Sequence, residues 1–206
     1  MSIVLAAVAA YLVGGIPFSY IAGKLAKGID LREHGSGNLG ASNTYRILGG
    51  RIALLVLILD VAKGLFPVVV AARFDALGGE PYHAIAAAAG AILGHLFSPY
   101  LKFSGGKGIA TSAGAFAGLA PWAFVCALTV FAVVFAARRI VSLASLAAAV
   151  TLPIAVFVAP GFGLGVRHTS VVWATLLVMV VVIVKHRGNI QRLRAGTEPA
   201  LARRKG

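Results

Sequence analysis

IATSAGAFAGLAPWAFVCALTVFAVVFAA, Ile109 to Ala137, is an unbroken apolar run of 29 residues, and its reading decides how many times the chain crosses a membrane. As one helix it is ~43 Å long, too long for a ~30 Å hydrocarbon core without strong tilt, yet it is too short for two full spans. Gly118-Leu-Ala-Pro121 sits inside it, and a proline there ends one helix and can start another. Outward from this run lie five more: Ile3 to Gly23, Ile52 to Ala72, Tyr82 to Phe97, Val141 to Val158 and Ser170 to Val184.

Charge chooses between six spans and seven. A single helix over 109–137 puts Lys102 and Lys107 on one side of the membrane and Arg138 and Arg139 on the other; two short helices put all four together. With seven spans, 16 of the 19 Lys and Arg residues fall inside, only Arg73 and Arg167 fall outside, and Lys63 lies within a span. That asymmetry is the one expected of a cytoplasmic face. The expectation is therefore an all-α polytopic membrane protein of seven transmembrane helices, some short, N-terminus outside and C-terminus cytoplasmic. The short fourth helix then has to lie against protein rather than lipid.

Composition agrees. The 206 residues are 59% hydrophobic and 12% charged, with a mean hydropathy of +0.91, far above soluble domains. The net charge of +13 sits between and after apolar runs rather than on one basic face, so no nucleic-acid partner is expected. Cys126, the only cysteine, excludes a disulfide framework. The first run has no cation before it and Lys24 after it, which reads as a retained helix rather than a cleaved signal. Residues 1–206 read as one membrane-embedded domain with a basic cytoplasmic tail over 191–206.

Three polar segments share the predicted cytoplasmic side: GSGNLGASNTYR (35–46), SPYLKFSGGKGIAT (98–111) and KHRGNIQR (185–192). In the middle one, Ser104-Gly-Gly-Lys-Gly108 precedes a helix. Glycines let backbone N–H groups turn to an anion, the helix N-terminus adds partial positive charge, and Lys107 adds a full one. The spacing is not that of a P-loop, and alone it also fits a flexible turn with a topogenic lysine. In the first segment Gly35, Gly37 and Gly40 free the backbone, Ser36, Asn38, Ser42 and Asn43 offer short polar groups, and Arg46 can hold a phosphate bidentately. Alone, this loop reads as an ordinary connector. In the third, His186, Asn189 and Arg192 recur at i, i+3 and i+6, one face of a continued helix.

Within the spans, Asp60 and Lys63 stand at i, i+3 and can pair. His95 approaches the cytoplasmic end of the third span, where it fits either a satisfied bundle histidine or a donor to the site; the polar segments converging at that depth favour the donor. The six acids are scattered and form no DxxD motif, so neither a metal nor another cofactor is expected, and HxxxxD and GxSxG are absent. Such a site acts by positioning and by stabilising anionic charge.

GSGNLGASNTYRILG, DVAKGLFP, GHLFSPYLKFSGGKGIATS, VSLASL and KHRGNIQRLRAGTEP, in that order and spacing, resemble the bacterial acyl-phosphate-dependent glycerol-3-phosphate acyltransferases. The resemblance implies seven inner-membrane helices and transfer of a fatty acyl group from acyl phosphate to the 1-hydroxyl of glycerol 3-phosphate, without a required protein partner. It implies Ser36, Arg46, Lys107, His186 and Asn189 as essential residues. Gly105, Gly106 and Gly108 shape phosphate binding, with Gly37, Asn38, Asn43, His95 and Ser104 around the substrates. One departure is Gly188, where many members have Glu. Acyl phosphate is already activated, so direct attack with the donor's own phosphate as proton acceptor fits a site poor in bases. A transporter of small phosphate anions is the alternative from another class, but it calls for a midplane site and repeats.

Overall fold

The computed structural model describes residues 1–75, 81–163 and 168–201. Arg167, Arg203, Arg204 and Lys205 of the charge count lie outside the described residues. Among those described there is no strand, and the chain falls into two compact units, Met1–Leu119 and Ala120–Gly206.

The first unit begins with α1 (Ile3–Gly15), started by Ser2, whose hydroxyl accepts from Leu5 N at 3.2 Å. The first apolar run was expected as one helix, but it breaks at Ile16–Pro17 and resumes as α2 (Phe18–Lys27). Proline disfavours helical geometry in the residue before it, and Ile16 is extended at φ −57, ψ 118. A short helix not expected from the sequence, α3 (Ala41–Leu48), follows within the first polar segment. Then come α4 (Gly50–Asp75), α5 (Tyr82–Leu96), a 3-10 turn over Pro99–Leu101 and α6 (Ile109–Leu119).

Packing in this unit follows membrane rules, in which close approach of small residues replaces the aqueous hydrophobic drive. Its buried positions are largely small, such as Ala84, Ala87, Ala88 and Ala91 on α5, while Leu54, Leu55 and Ile58 on α4 are turned outward. A Cβ added at Gly90 would overlap the Ala7 carbonyl of α1, and one at Gly114 the Val61 carbonyl of α4. Backbone therefore touches backbone at both crossings. Ser98 Oγ donates to Gly15 O at 2.6 Å and Tyr11 Oη to Phe97 O at 2.7 Å, satisfying polar groups that lipid cannot serve.

The second unit holds α7 (Pro121–Arg138), α8 (Val141–Val158), a 3-10 turn over Ala159–Phe162, α9 (Thr169–Lys185) and α10 (Arg187–Arg194). α8 packs against both α7 and α9. Two buried hydroxyls of this unit are satisfied within their own helices: Ser145 Oγ on α8 donates to Val141 O at 2.8 Å and Thr175 Oγ1 on α9 to Val172 O at 2.7 Å.

The 29-residue run divides where proline and length said it would, into α6 and α7 on either side of Ala120. By length and composition five helical stretches can cross a membrane: Ile3–Lys27 through its break, Gly50–Asp75, Tyr82–Leu101, Pro121–Arg138 and Val141–Phe162. The pair α9 and α10, bent by 62°, makes six. The protein is an integral membrane protein. α6 has 11 residues, ~16 Å, and falls short of a crossing. The segment expected as a basic tail from residue 191 is helical to Arg194, and the Leu201 N–H donates to Arg139 O at 2.8 Å.

Candidate active site

The first polar segment is a loop built by one side chain. Asn43, 1% exposed, accepts from Ser36 N at 2.9 Å and donates to the carbonyls of Leu31 and His34 at 3.0 Å each. Its amide thus holds the loop in shape from inside, the role of an Asx side chain in a turn. Gly35 and Gly37 lie in the left-handed region, at φ 64 and 68, and a Cβ on Gly35 would also overlap Asn43 Oδ1. Thr44 Oγ1, bonded to Gly40 O at 3.1 Å, meets Ser19 Oγ of α2 at 2.9 Å. Ser36 and Arg46 are exposed, Arg46 in the last turn of α3, and Asn38 is half-buried. Lys27 donates to Ile47 O at 2.9 Å, serving a carbonyl at the end of α3. At the loop's start Asp30 pairs with Arg32 at 2.6 Å, and that hydrogen-bonded guanidinium holds the Asp30 carboxyl below its ordinary value against the opposing effect of burial.

The second segment lies against the first. Lys102 and Phe103 take left-handed conformations, φ 53 and 59, while Phe103 N donates to Ser98 O at 2.8 Å and Gly106 N to His95 O at 3.1 Å. A Cβ on Gly106 would overlap the Leu39 carbonyl of the first loop and His95 Nε2; one on Gly105 would overlap His95 O. Leu31 and Leu39 of the first loop share a buried cluster with Leu101, just before the second. Lys107 is half-buried, Ser104 exposed, and Gly108 (φ 82) leads into α6, where its carbonyl receives Ser112 N at 2.7 Å. A small cavity beneath is lined by Ser19, Asp60, Lys63, His95, Gly105 and Gly106 among others. The structure therefore brings together Leu39 and Gly106, and through them the segments carrying Ser36, Arg46 and Lys107. Two cations carried on glycine-rich segments suit a phosphate-bearing ligand.

The third segment belongs to the second unit. His186, 3% exposed, is the joint between α9 and α10. The expected continued helix is present as α10, bent by 62° from α9 at this joint. His186 Nδ1 donates to Val182 O at 2.8 Å, since a carbonyl only accepts. Asn189 Nδ2 donates to Glu198, which also receives Ser142 Oγ at 2.7 Å and Arg192 Nε at 2.7 Å. Burial works to raise the Glu198 pKa, and these three donors outweigh it, leaving the carboxyl below its ordinary value. Sequence reasoning gave Glu198 no role. Its signal was available, as the only acid after Glu80, directly following the basic segment. At Gly188 a Cβ would meet only Arg192 Nη1 at 3.6 Å, so the space does not forbid the Glu of other members.

Asp60 and Lys63 do pair, at 2.7 Å, both buried. Among the described residues no three His, Cys, Asp or Glu side chains are grouped to hold a metal ion.

The family model of glycerol-3-phosphate acyltransferase matches residues 4–196. A glycerol-3-phosphate acyltransferase of Anaeromyxobacter dehalogenans is 45% identical over 194 residues, covering 92% of both chains. One from Geobacillus kaustophilus is 42% identical, over 92% of this chain and 91% of its own. Among solved structures, the glycerol 3-phosphate form of PlsY, an integral membrane glycerol 3-phosphate acyltransferase, superposes with a TM-score of 0.89 at 33% identity, covering 98% of this chain and 96% of its own. Its lysophosphatidic acid form gives 0.86 at 32% identity with the same coverage.

Proposed function

The chain belongs to the glycerol-3-phosphate acyltransferase family, and we propose that it transfers a fatty acyl group from acyl phosphate to the 1-hydroxyl of sn-glycerol 3-phosphate. The products are 1-acyl-glycerol 3-phosphate and inorganic phosphate. The observation that carries this reading is the contact at Leu39 and Gly106 of the two glycine-rich segments whose sequences also hold Arg46 and Lys107. Both substrates bear phosphate, and two anion-holding loops supply a place for it.

In the proposed reaction the glycerol hydroxyl oxygen attacks the acyl carbonyl carbon as the bond from that carbon to the phosphate oxygen breaks. The hydroxyl proton passes to the leaving phosphate. The charge that builds on the carbonyl and phosphate oxygens is met by fixed donors and cations, which act only if they stabilise the transition state more than the bound substrates. Ser36, Arg46 and Lys107 are assigned to this task, with Gly37, Asn38, Ser104, Gly105, Gly106 and Gly108 shaping the bed. His186 and Asn189 are assigned to the reaction too. His186 Nε2 is the one basic nitrogen of the third segment suited to assist proton transfer. Asn43 is best assigned to holding the loop, since its amide is spent on Ser36, Leu31 and His34.

The positive-inside count supports the inner membrane with the site at the cytoplasmic face, N-terminus outside, and seven membrane segments, in which α6 is too short to face lipid alone. The test is purified protein in detergent given acyl phosphate and labelled glycerol 3-phosphate, with neither metal nor coenzyme A. Labelled lysophosphatidic acid is expected. Product only with acyl-coenzyme A would overturn the donor assignment, and none with any donor would overturn the enzymatic reading.

A further inference from the structure

Asp60 and Lys63 lie in the middle of α4, where charge is expensive, and a buried ion pair does not stabilise a protein better than apolar side chains of similar size. Their place in the first unit gives them another use. Lys63 Nζ, 2.7 Å from Asp60 Oδ1, also donates to Ile16 O at 2.8 Å and stands 5.4 Å from the centre of the Phe18 ring. That bond holds the carbonyl freed where α1 breaks before Pro17. The same Asp60 Oδ1 is 3.8 Å from His95 Nδ1. The His95 carbonyl receives Gly106 N at 3.1 Å, and the His95 ring leaves no room for a Cβ on Gly106.

We propose that Asp60 and Lys63 are positioning residues: the pair fixes His95, and His95 sets where the Gly105–Gly106 backbone stands against Leu39 of the first loop. The inference rests on the acyltransferase reading and deepens it. Lys63 does not serve as a further phosphate ligand, because its ammonium is committed to Asp60, Ile16 and the Phe18 face at 4% exposure. The pair acts through the loop, so its loss changes how tightly a phosphate-bearing substrate is held.

The experiment is steady-state kinetics of the purified full chain with acyl phosphate and glycerol 3-phosphate. It compares wild type, Asp60→Asn, the neutral pair Asp60→Asn/Lys63→Met, His95→Ala, Asp60→Asn/His95→Ala, and Asp75→Asn. Asp75 accepts from His83 N at 2.9 Å and Ala84 N at 2.8 Å at the far end of α4, so D75N is a control for weakened structure away from the loops. The neutral pair is expected to remain folded yet raise the KM of at least one phosphate substrate about tenfold, the lower end of what supporting residues around a site contribute. D60N/H95A should be no worse than H95A, because residues in one network do not add. D75N should lower the melting temperature with both KM values unchanged. A neutral pair with wild-type KM values, or additive losses for D60N and H95A, overturns the proposal. So does a KM rise in D75N equal to that in the neutral pair. If D60N alone does not accumulate, the neutral pair decides the question by its KM. Wild-type protein that makes no lysophosphatidic acid removes the enzymatic reading and this inference with it, whereas active wild type with unaffected variants removes the inference alone.

Discussion

Replacing Gly106 by alanine is expected to lower kcat/KM about a hundredfold. Gly106 is buried, and an alanine Cβ there would overlap the Leu39 carbonyl on one side and His95 Nε2 on the other. Favourable carbon contacts begin at roughly 3.5 Å, so the loop has to retreat on the order of 1 Å. Misplacement of a positioning element by ~1 Å costs about 10²-fold in rate, or ~2.7 kcal/mol of transition-state stabilisation. The Leu39 contact is with backbone and cannot yield by a rotamer change. The assay is release of labelled lysophosphatidic acid under kcat/KM conditions, with the melting temperature measured in parallel. Gly161→Ala is the comparison, since a Cβ there meets nothing within 4 Å, and it should leave kcat/KM unchanged. A G106A enzyme within twofold of wild type would refute the claim that the loop's fit against Leu39 and His95 matters.

Asn43→Ala removes three intraloop hydrogen bonds and leaves buried groups without partners at about 1–3 kcal/mol each, so a drop in melting temperature with at least tenfold lower kcat/KM is expected; an unchanged melting curve would contradict the role given to this amide. Arg46→Ala and Lys107→Ala, made singly, each lose charge-assisted bonds of about 1.5–3 kcal/mol to a phosphate, expected as a ten- to hundredfold rise in the KM of a phosphate substrate; unchanged turnover and KM in both would refute the site. Glu198 has its folded pKa held below the ordinary 4.5, so its contribution to stability is complete above that value and is lost as pH falls through the lower, folded one. In Glu198→Gln the melting temperature should therefore fall less steeply below pH 4.5 than in wild type, and parallel pH curves would show that the Ser142, Asn189 and Arg192 contacts do not hold this carboxylate.

Helix placement was legible in the sequence wherever lipid alone dictated it. α8 spans Val141–Val158 as its apolar run does, and the break before Pro121 follows from a length that fits neither one span nor two. The break at Pro17 was hidden because apolar composition continues through it, and composition carries no trace of a carbonyl held by Lys63, 47 positions away. α3 was read as loop because Ala41–Leu48 is short and polar; its helix depends on tertiary contacts such as Ser19 with Thr44 rather than on propensity. The glycine-rich loops were legible as candidates, since glycine and short polar residues inside an apolar chain have few other uses. The contact between Gly106 and Leu39 was not, because it depends on where α1, α4 and α5 place the two loops. Glu198 was missed for the same reason: its three donors come from Ser142, Asn189 and Arg192, and Ser142 is 56 residues away.

The central claim is that the two loops meeting at Leu39 and Gly106 hold substrate phosphate. A crystal structure of this chain with glycerol 3-phosphate bound tests it most directly. The phosphate is expected within hydrogen-bonding distance of Arg46 or Lys107 and of backbone N–H groups in 35–40 or 104–108; a phosphate seated away from both loops would show that they do not hold it.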